Sequence, residues 1–210
     1  MPNWCNNHVT LTHEDPAMIK RAYDALERGE FLNEFIPVPA ELQITAGFLG
    51  SGPEQTELER QTKANVEKYG YGNWYDYCVG EWGTKWDTGE SGNNDINPND
   101  PCMLTAGFDT GWAPPVRAYE KLTALGFNVE AMYYEPGMAF AGIWTSECGD
   151  EEYNLEGMSS DQVEADLPAE LDNMFGISET IREYEAENEE EELTEWIKDG
   201  VEQKKALIAL

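Results

Sequence analysis

Between residues 147 and 195 the chain carries nineteen acidic side chains and one basic one, Arg182. Like charges packed that densely repel, and few apolar side chains remain there to bury. This stretch holds a net −18 of the total −29, so a core-forming part before Glu147 and an acidic extension after it follow from where the charge lies. With 40% hydrophobic and 11% aromatic residues overall, the first part has ample material for a core. The extension is helix-permissive and is studded with Phe175, Ile181, Leu193, Trp196 and Ile197. A purely solvating tail has no use for such anchors, so a docking segment stands beside a solvated tail as its reading.

The same charge narrows the partners. Nucleic-acid affinity rests on Lys and Arg displacing counterions from phosphates, and an anionic membrane repels acids likewise. No direct nucleic-acid or membrane partner is expected, whereas basic proteins are attracted and steered in. Stacking of bases on the aromatics of a sheet is the one nucleic-acid mode considered, and the charge opposes it. The opening residues carry no apolar signal core, and no apolar run reaches membrane-spanning length. The four cysteines, Cys5, Cys78, Cys102 and Cys148, are dispersed, with no C-x-x-C pair. Reduced, structural thiols and a cytoplasmic location are expected.

Along the chain, residues 4–12 alternate as a half-buried strand does. Asp15-Pro16 starts a helix with Met18, Ile19, Ala22, Tyr23 and Leu26 on one face, and Gly29 stops it. Residues 31–53 read as irregular, 53–69 as an exposed polar helix closed by Gly70 and Gly72. Residues 81–88 read as a strand, 93–101 as a polar loop and 102–108 as a strand. Pro114-Pro115 starts a helix bearing Val116, Tyr119, Leu122 and Leu125. Strands over 128–135 and 138–145 flank a Pro136-Gly137 turn. The resulting expectation is α+β: a ferredoxin-like antiparallel sheet with two helices packed on one face, plus an acidic, mainly helical C-terminal extension. Domain 1 spans 1–147 with an insertion at about 38–72, and the extension spans 148–210.

Four segments, M-P-N-W-C-N-N (1–7), W-G-T-K-W-D (82–87), F-D-T-G-W-A-P-P (108–115) and Y-Y-E-P-G-M-A-F-A-G (133–142), occur in an order that resembles the YubB-type ferredoxin-like domain family of phages, prophages and plasmids. The resemblance covers about residues 1–147. It implies that fold and a mobile-element origin, and it supplies no catalytic residues.

Several residue groups suggest chemistry. Trp82, Trp86 and Trp112 suggest a ligand-stacking cluster, against which core packing stands as the simpler use of aromatics. Lys85, in a neutral aromatic stretch, suggests a base or nucleophile, or else a cation paired with Asp87 or Asp109 or stacked on a tryptophan. His8, His13 and Cys5 suggest a metal site, but positions 5 and 8 point to opposite faces of a strand, so no metal is expected. The loop from Asn93 to Asp100 is rich in oxygen ligands yet lacks calcium-loop spacing. Asp109 and Glu135 form one of many carboxylate pairs that 42 acids allow by chance. No phosphate-cradling, nucleophile-elbow or zinc-protease motif occurs, and no cofactor is expected.

The leading expectation is a non-enzymatic phage or plasmid interaction protein. It would bind a basic surface of a host or defence protein through Glu183, Glu185, Glu187, Glu189, Glu190, Glu191, Glu192 and Trp196, their carboxylates imitating DNA phosphates. The alternative is an enzyme or small-ligand binder using Trp82, Lys85, Trp86, Asp109 and Trp112.

Overall fold

The computed structural model describes residues 3–89 and 92–188 and divides the chain into two compact units, 1–154 and 155–210. In the first unit, strand β1 (Trp4–Thr12) leads into α1 (Pro16–Glu27). Asp15 caps α1 by accepting from the Ala17 amide, and Pro16 sits where no intrahelical amide is missed. A short helix α2 (Phe31–Phe35), a single turn at Ala40–Leu42, α3 (Pro53–Tyr69) and α4 (Trp74–Glu81) follow. Gly70 ends α3 at φ +80. Then come β2 (Gly92–Ile96), β3 (Met103–Gly111), α5 (Val116–Ala124), β4 (Asn128–Glu135), β5 (Phe140–Thr145) and β6 (Gly149–Asn154).

The strands form one six-stranded sheet in the order β2-β3-β1-β4-β5-β6, every neighbouring pair antiparallel. The chain passes from β1 through α1 to β2 with β3 between them, and from β3 through α5 to β4 with β1 between them. These are two split β-α-β crossovers. Period-2 alternation sends Val9 and Leu11, Leu104, Ala106 and Phe108, and Val129 and Ala131 to one face. They share a core with Ile19, Ala22, Ala25 and Leu26 of α1 and with Ala118, Tyr119 and Leu122 of α5, which places both helices on that face. Leu125, expected in the α5 stripe, instead forms the exposed C-cap of the helix.

Two sequence expectations are corrected. Residues 81–88 are not a strand: α4 runs to Glu81 and an irregular segment follows. The Trp82 carbonyl accepts from the Ala118 amide at 3.1 Å, and Gly83 takes φ +89. A side chain at Gly83 would also sit 3.3 Å from the α5 backbone. The segment is therefore tied to the start of α5, not to a strand partner. The edge place in the sheet goes instead to β2, built from Gly92-Asn93-Asn94-Asp95-Ile96 in the segment read as a loop. It pairs with β3 around a bulge between Gly92 and Asp95, with Asn93 at φ +60. Beyond it, Asn97 and Asp100 oxygens accept the Asn99 and Cys102 amides, so they close their own turn.

The sheet also runs past the expected boundary at 147. β6 pairs with β5 from Thr145↔Gly149 to Phe140↔Asn154, so the first unit ends at Asn154. In the second unit, α6 (Ser160–Asp166) carries a capping box between Ser159 and Gln162, α7 (Ala169–Phe175) ends at Gly176, and residues 177–188 are helical. Val163, Leu171 and Ile177 are fully buried. The buried Asp172 carboxylate accepts from the Ser178 amide and hydroxyl at 2.7 and 2.6 Å, which fixes the turn after α7.

Candidate functional site

Segments 1–7, 82–87, 108–115 and 133–142 converge at one end of the sheet. Trp4 pairs with Gly111 and Cys5 with Thr110, so the start of β1 lies against the end of β3. The Trp112 amide donates to the Asn3 carbonyl (3.0 Å). Thr84, buried, donates its hydroxyl to the Gly111 carbonyl (2.9 Å). Asn7↔Tyr133 and Asn6↔Tyr134 bring in the end of β4. There the buried Glu135 carboxylate accepts the Gly137 and Met138 amides at 3.0 and 2.5 Å and so closes the hairpin turn. Glu135 is thus a turn clamp on the core side of the sheet, and Asp109 lies on the other face, so this chance pair of carboxylates does not meet.

Beneath this end lies a polar network in a low-dielectric setting. The Asn7 side-chain amide donates to the Cys5 carbonyl (2.8 Å), the Thr110 hydroxyl (2.9 Å) and the Phe108 carbonyl (3.3 Å). Thr110 donates onward to the Ala113 carbonyl (2.8 Å), and the Tyr119 hydroxyl donates to Asn7 Oδ1 (3.4 Å). The network joins β1, β3 and α5 and satisfies groups that would otherwise be buried unpaired.

Above it is an exposed aromatic rim. Trp86 lies on the backbone of Gly111, whose missing side chain leaves the room: a Cβ there would come within 2.9 Å of the indole. Lys85 Nζ sits 4.1 Å from the Trp86 ring centre and 5.7 Å from that of Tyr75. It forms no ion pair among the described residues, so of its expected partners it takes the tryptophan and neither Asp87 nor Asp109. Trp4, 46% exposed, meets Trp86 at 6.0 Å and 37°. Trp112 is 51% exposed and holds φ +75, a left-handed conformation costly for a bulky residue.

The expected trio Trp82, Trp86 and Trp112 is therefore divided. Trp82 is 4% exposed inside the core and donates its indole N–H to the Ile36 carbonyl (2.9 Å). Trp86 keeps Trp4 as its ring partner. Asp109 is exposed on the opposite sheet face from the core and accepts from Asn6 Nδ2 at 2.7 Å. Asp87 turns inward to accept the Leu32, Asn33 and Thr88 amides. It caps α2 from a distance, and burial raises its carboxyl against those three donors. Trp4 was not singled out by spacing. The available signal for Trp4 was its parity with Asn6, which put it on the face away from the core.

The metal reading is not met at the residues proposed for it. Cys5 points into the core and His8 to the other face, and burial lowers the His8 pKa. Burial, with the Glu135 charge adding, pushes the Cys5 thiol far up, and burial pushes Cys78 to about 12. Iodoacetamide at about pH 7.5 is expected to label the exposed Cys148 first and Cys102 more slowly, with Cys5 and Cys78 reached only after denaturant is added. Peptide mapping of the labelled native chain checks this, and early label on Cys5 would contradict it.

In the second unit Glu183 and Glu187 are exposed on the 177–188 helix beside Tyr184, itself 65% exposed. Glu185 differs: it accepts the Ser160 amide (3.1 Å) and hydroxyl (2.6 Å), which lowers its pKa, so it holds the start of α6. Glu189, Glu190, Glu191, Glu192 and Trp196 lie outside the described residues.

No protein-family model matches the chain, and no curated protein does. Among solved structures, a protein api92 from Yersinia pseudotuberculosis, of the family DUF1281, is similar at a TM-score of 0.39 and 11% identity, over 73% of this chain and 99% of that one.

Proposed function

We propose that the chain is a non-enzymatic interaction protein of a phage or plasmid, acting in the bacterial cytoplasm, whose acidic second unit engages a basic surface of a host or defence protein. The observation that carries this reading is the 155–188 segment, where ten acidic side chains accompany one arginine, with Glu183 and Glu187 exposed beside Tyr184. Arg182 is itself taken up by Glu164 at 2.8 Å and Asp161 at 3.8 Å, so the helix offers its carboxylates to an outside cation. Spaced carboxylates on a helix can stand in for phosphates in a DNA-binding groove, and complementary charge speeds encounter and favours one partner over others. No helix among the described residues is long and apolar enough to cross a membrane. For the first unit, the β2-β3-β1-β4 order with its two split crossovers supports a ferredoxin-like plan, extended by β5 and β6.

A second reading places a small-molecule site on the aromatic rim. It is favoured by Lys85, a cation without a carboxylate partner among the described residues in a chain of net charge −29. The burial of Trp82 removes one of its intended walls.

The test uses the full chain as bait for bacterial lysate at low salt. A basic partner is expected that is released as salt approaches about 0.3 M and whose DNA binding the chain displaces. In Glu183→Gln and Glu187→Gln chains, binding of that partner should weaken roughly two- to fivefold per carboxylate. Glu185 is left unchanged because it supports α6. Absence of a partner, or retention indifferent to salt, would sink the reading.

A further inference from the structure

We infer that the open face of the sheet carries an arginine-recognition site built from Trp4 and Asp109, separate from the acidic second unit. The inference rests on the basic-partner reading only in taking the partner to be cationic.

The geometry is that of a ring and an anchored carboxylate side by side. Trp4 and Asn6 lie on one face of β1, and their β3 partners Gly111 and Asp109 lie on the same face. Trp4 and Asp109 are thus diagonal neighbours on an antiparallel pair, with Cβ atoms about 7–8 Å apart, within reach of long side chains. Both are exposed. Asp109 spends one oxygen on Asn6 Nδ2 at 2.7 Å, which orients the carboxylate, and the other oxygen takes part in no hydrogen bond or ion pair among the described residues. Unpaired carboxylates are common in so acidic a chain. What sets this one apart is its fixed orientation beside an exposed indole.

Trp4 is held in place as well. Trp86 supports it at 6.0 Å, and Trp86 is itself wedged between the Gly111 backbone and Lys85. Lys85 over Trp86 at 4.1 Å shows that this rim accommodates a cation on an indole face. The Trp4 ring has no such intramolecular cation among the described residues.

A guanidinium suits this pair better than an ammonium. It is planar and can stack on Trp4 while one edge N–H donates to the free oxygen of Asp109, whereas a lysine offers a point charge that does one or the other. Phosphate-bearing ligands face both Asp109 and the overall charge of −29. The occupant is therefore an arginine on a basic protein partner.

Fluorescence titration of the full chain with octa-arginine and with octa-lysine at about 0.1 M salt tests this. The expected result is roughly tenfold tighter binding of octa-arginine. Trp4→Ala and Asp109→Asn should each bring the ratio of the two affinities to about one, while a charge-driven remainder persists. Both positions are surface-exposed, and unchanged thermal unfolding confirms that the variants remain folded. The Glu183→Gln/Glu187→Gln chain should bind both peptides more weakly and keep the ratio. A ratio near one in the unaltered chain, or one that survives both rim substitutions, overturns the site. Loss of the effect of the glutamate substitutions alone overturns only the reading of the second unit. Single-stranded DNA bound more tightly than either peptide would also overturn the site.

Discussion

Replacing Trp82 with alanine is expected to destabilise the sheet unit by about 3–5 kcal/mol. The indole is nearly fully buried in the core cluster that also holds Ile36, Cys78 and Phe108, so truncation leaves a cavity that the tied-down backbone around Gly83 cannot close. It also strands the Ile36 carbonyl, which accepts the indole N–H at 2.9 Å. Trp82→Phe separates the two contributions: it restores most of the volume and leaves the carbonyl unpaired, at a cost of about 1–3 kcal/mol. Urea unfolding monitored by near-UV circular dichroism measures both variants. A loss below about 1 kcal/mol for the alanine variant would mean that the indole is not the core element described above.

Asn7→Asp is expected to have a comparable effect with a different signature. The substitution keeps the shape and removes the donors. A carboxylate would face the Cys5 and Phe108 carbonyls, both now served by the Asn7 amide; the Tyr119 hydroxyl donates toward it, and the Thr110 hydroxyl could do so only by giving up the Ala113 carbonyl. An uncompensated buried charge of this kind costs about 3–5 kcal/mol near neutral pH. Burial raises the folded-state pKa of the introduced carboxyl above its unfolded value of about 3.9. The folded state then holds the proton more tightly than the unfolded one. Stability relative to the parent is therefore highest below the unfolded pKa and falls as pH rises through the folded pKa. Unfolding free energies of parent and variant at about pH 7 and about pH 4 should differ most at the higher pH, and a pH-independent difference would contradict the network.

Both substitutions fall in segments, 82–87 and 1–7, whose residues stand out in the sequence, yet their roles were not visible there. W-G-T-K-W-D reads as an alternating strand, with Trp82 and Trp86 on the same face. The structure turns it at Gly83, sends Trp82 into the core and leaves Trp86 on the surface with Lys85 above it. Parity is informative only where the backbone is extended, and one left-handed residue cancels it. For the acidic helix the composition marks Glu183, Glu185 and Glu187 alike. It could not distinguish Glu185, because the Ser160 that claims it lies 25 residues earlier in the chain.

What the sequence alone determined was local. The start of α1 at Asp15-Pro16, the end of α3 at Gly70 and the β4–β5 hairpin are each set by interactions within a few residues, so the residues that decide them stand next to one another in the chain. The tertiary structure alone decided the rest. Gly92–Ile96 has poor intrinsic strand character and becomes β2 only because the edge of β3 offers it partners. The site at the end of the sheet depends on pairings such as Asn6↔Asp109 and Asn6↔Tyr134, more than a hundred residues apart, whose register follows from burying one face of the sheet.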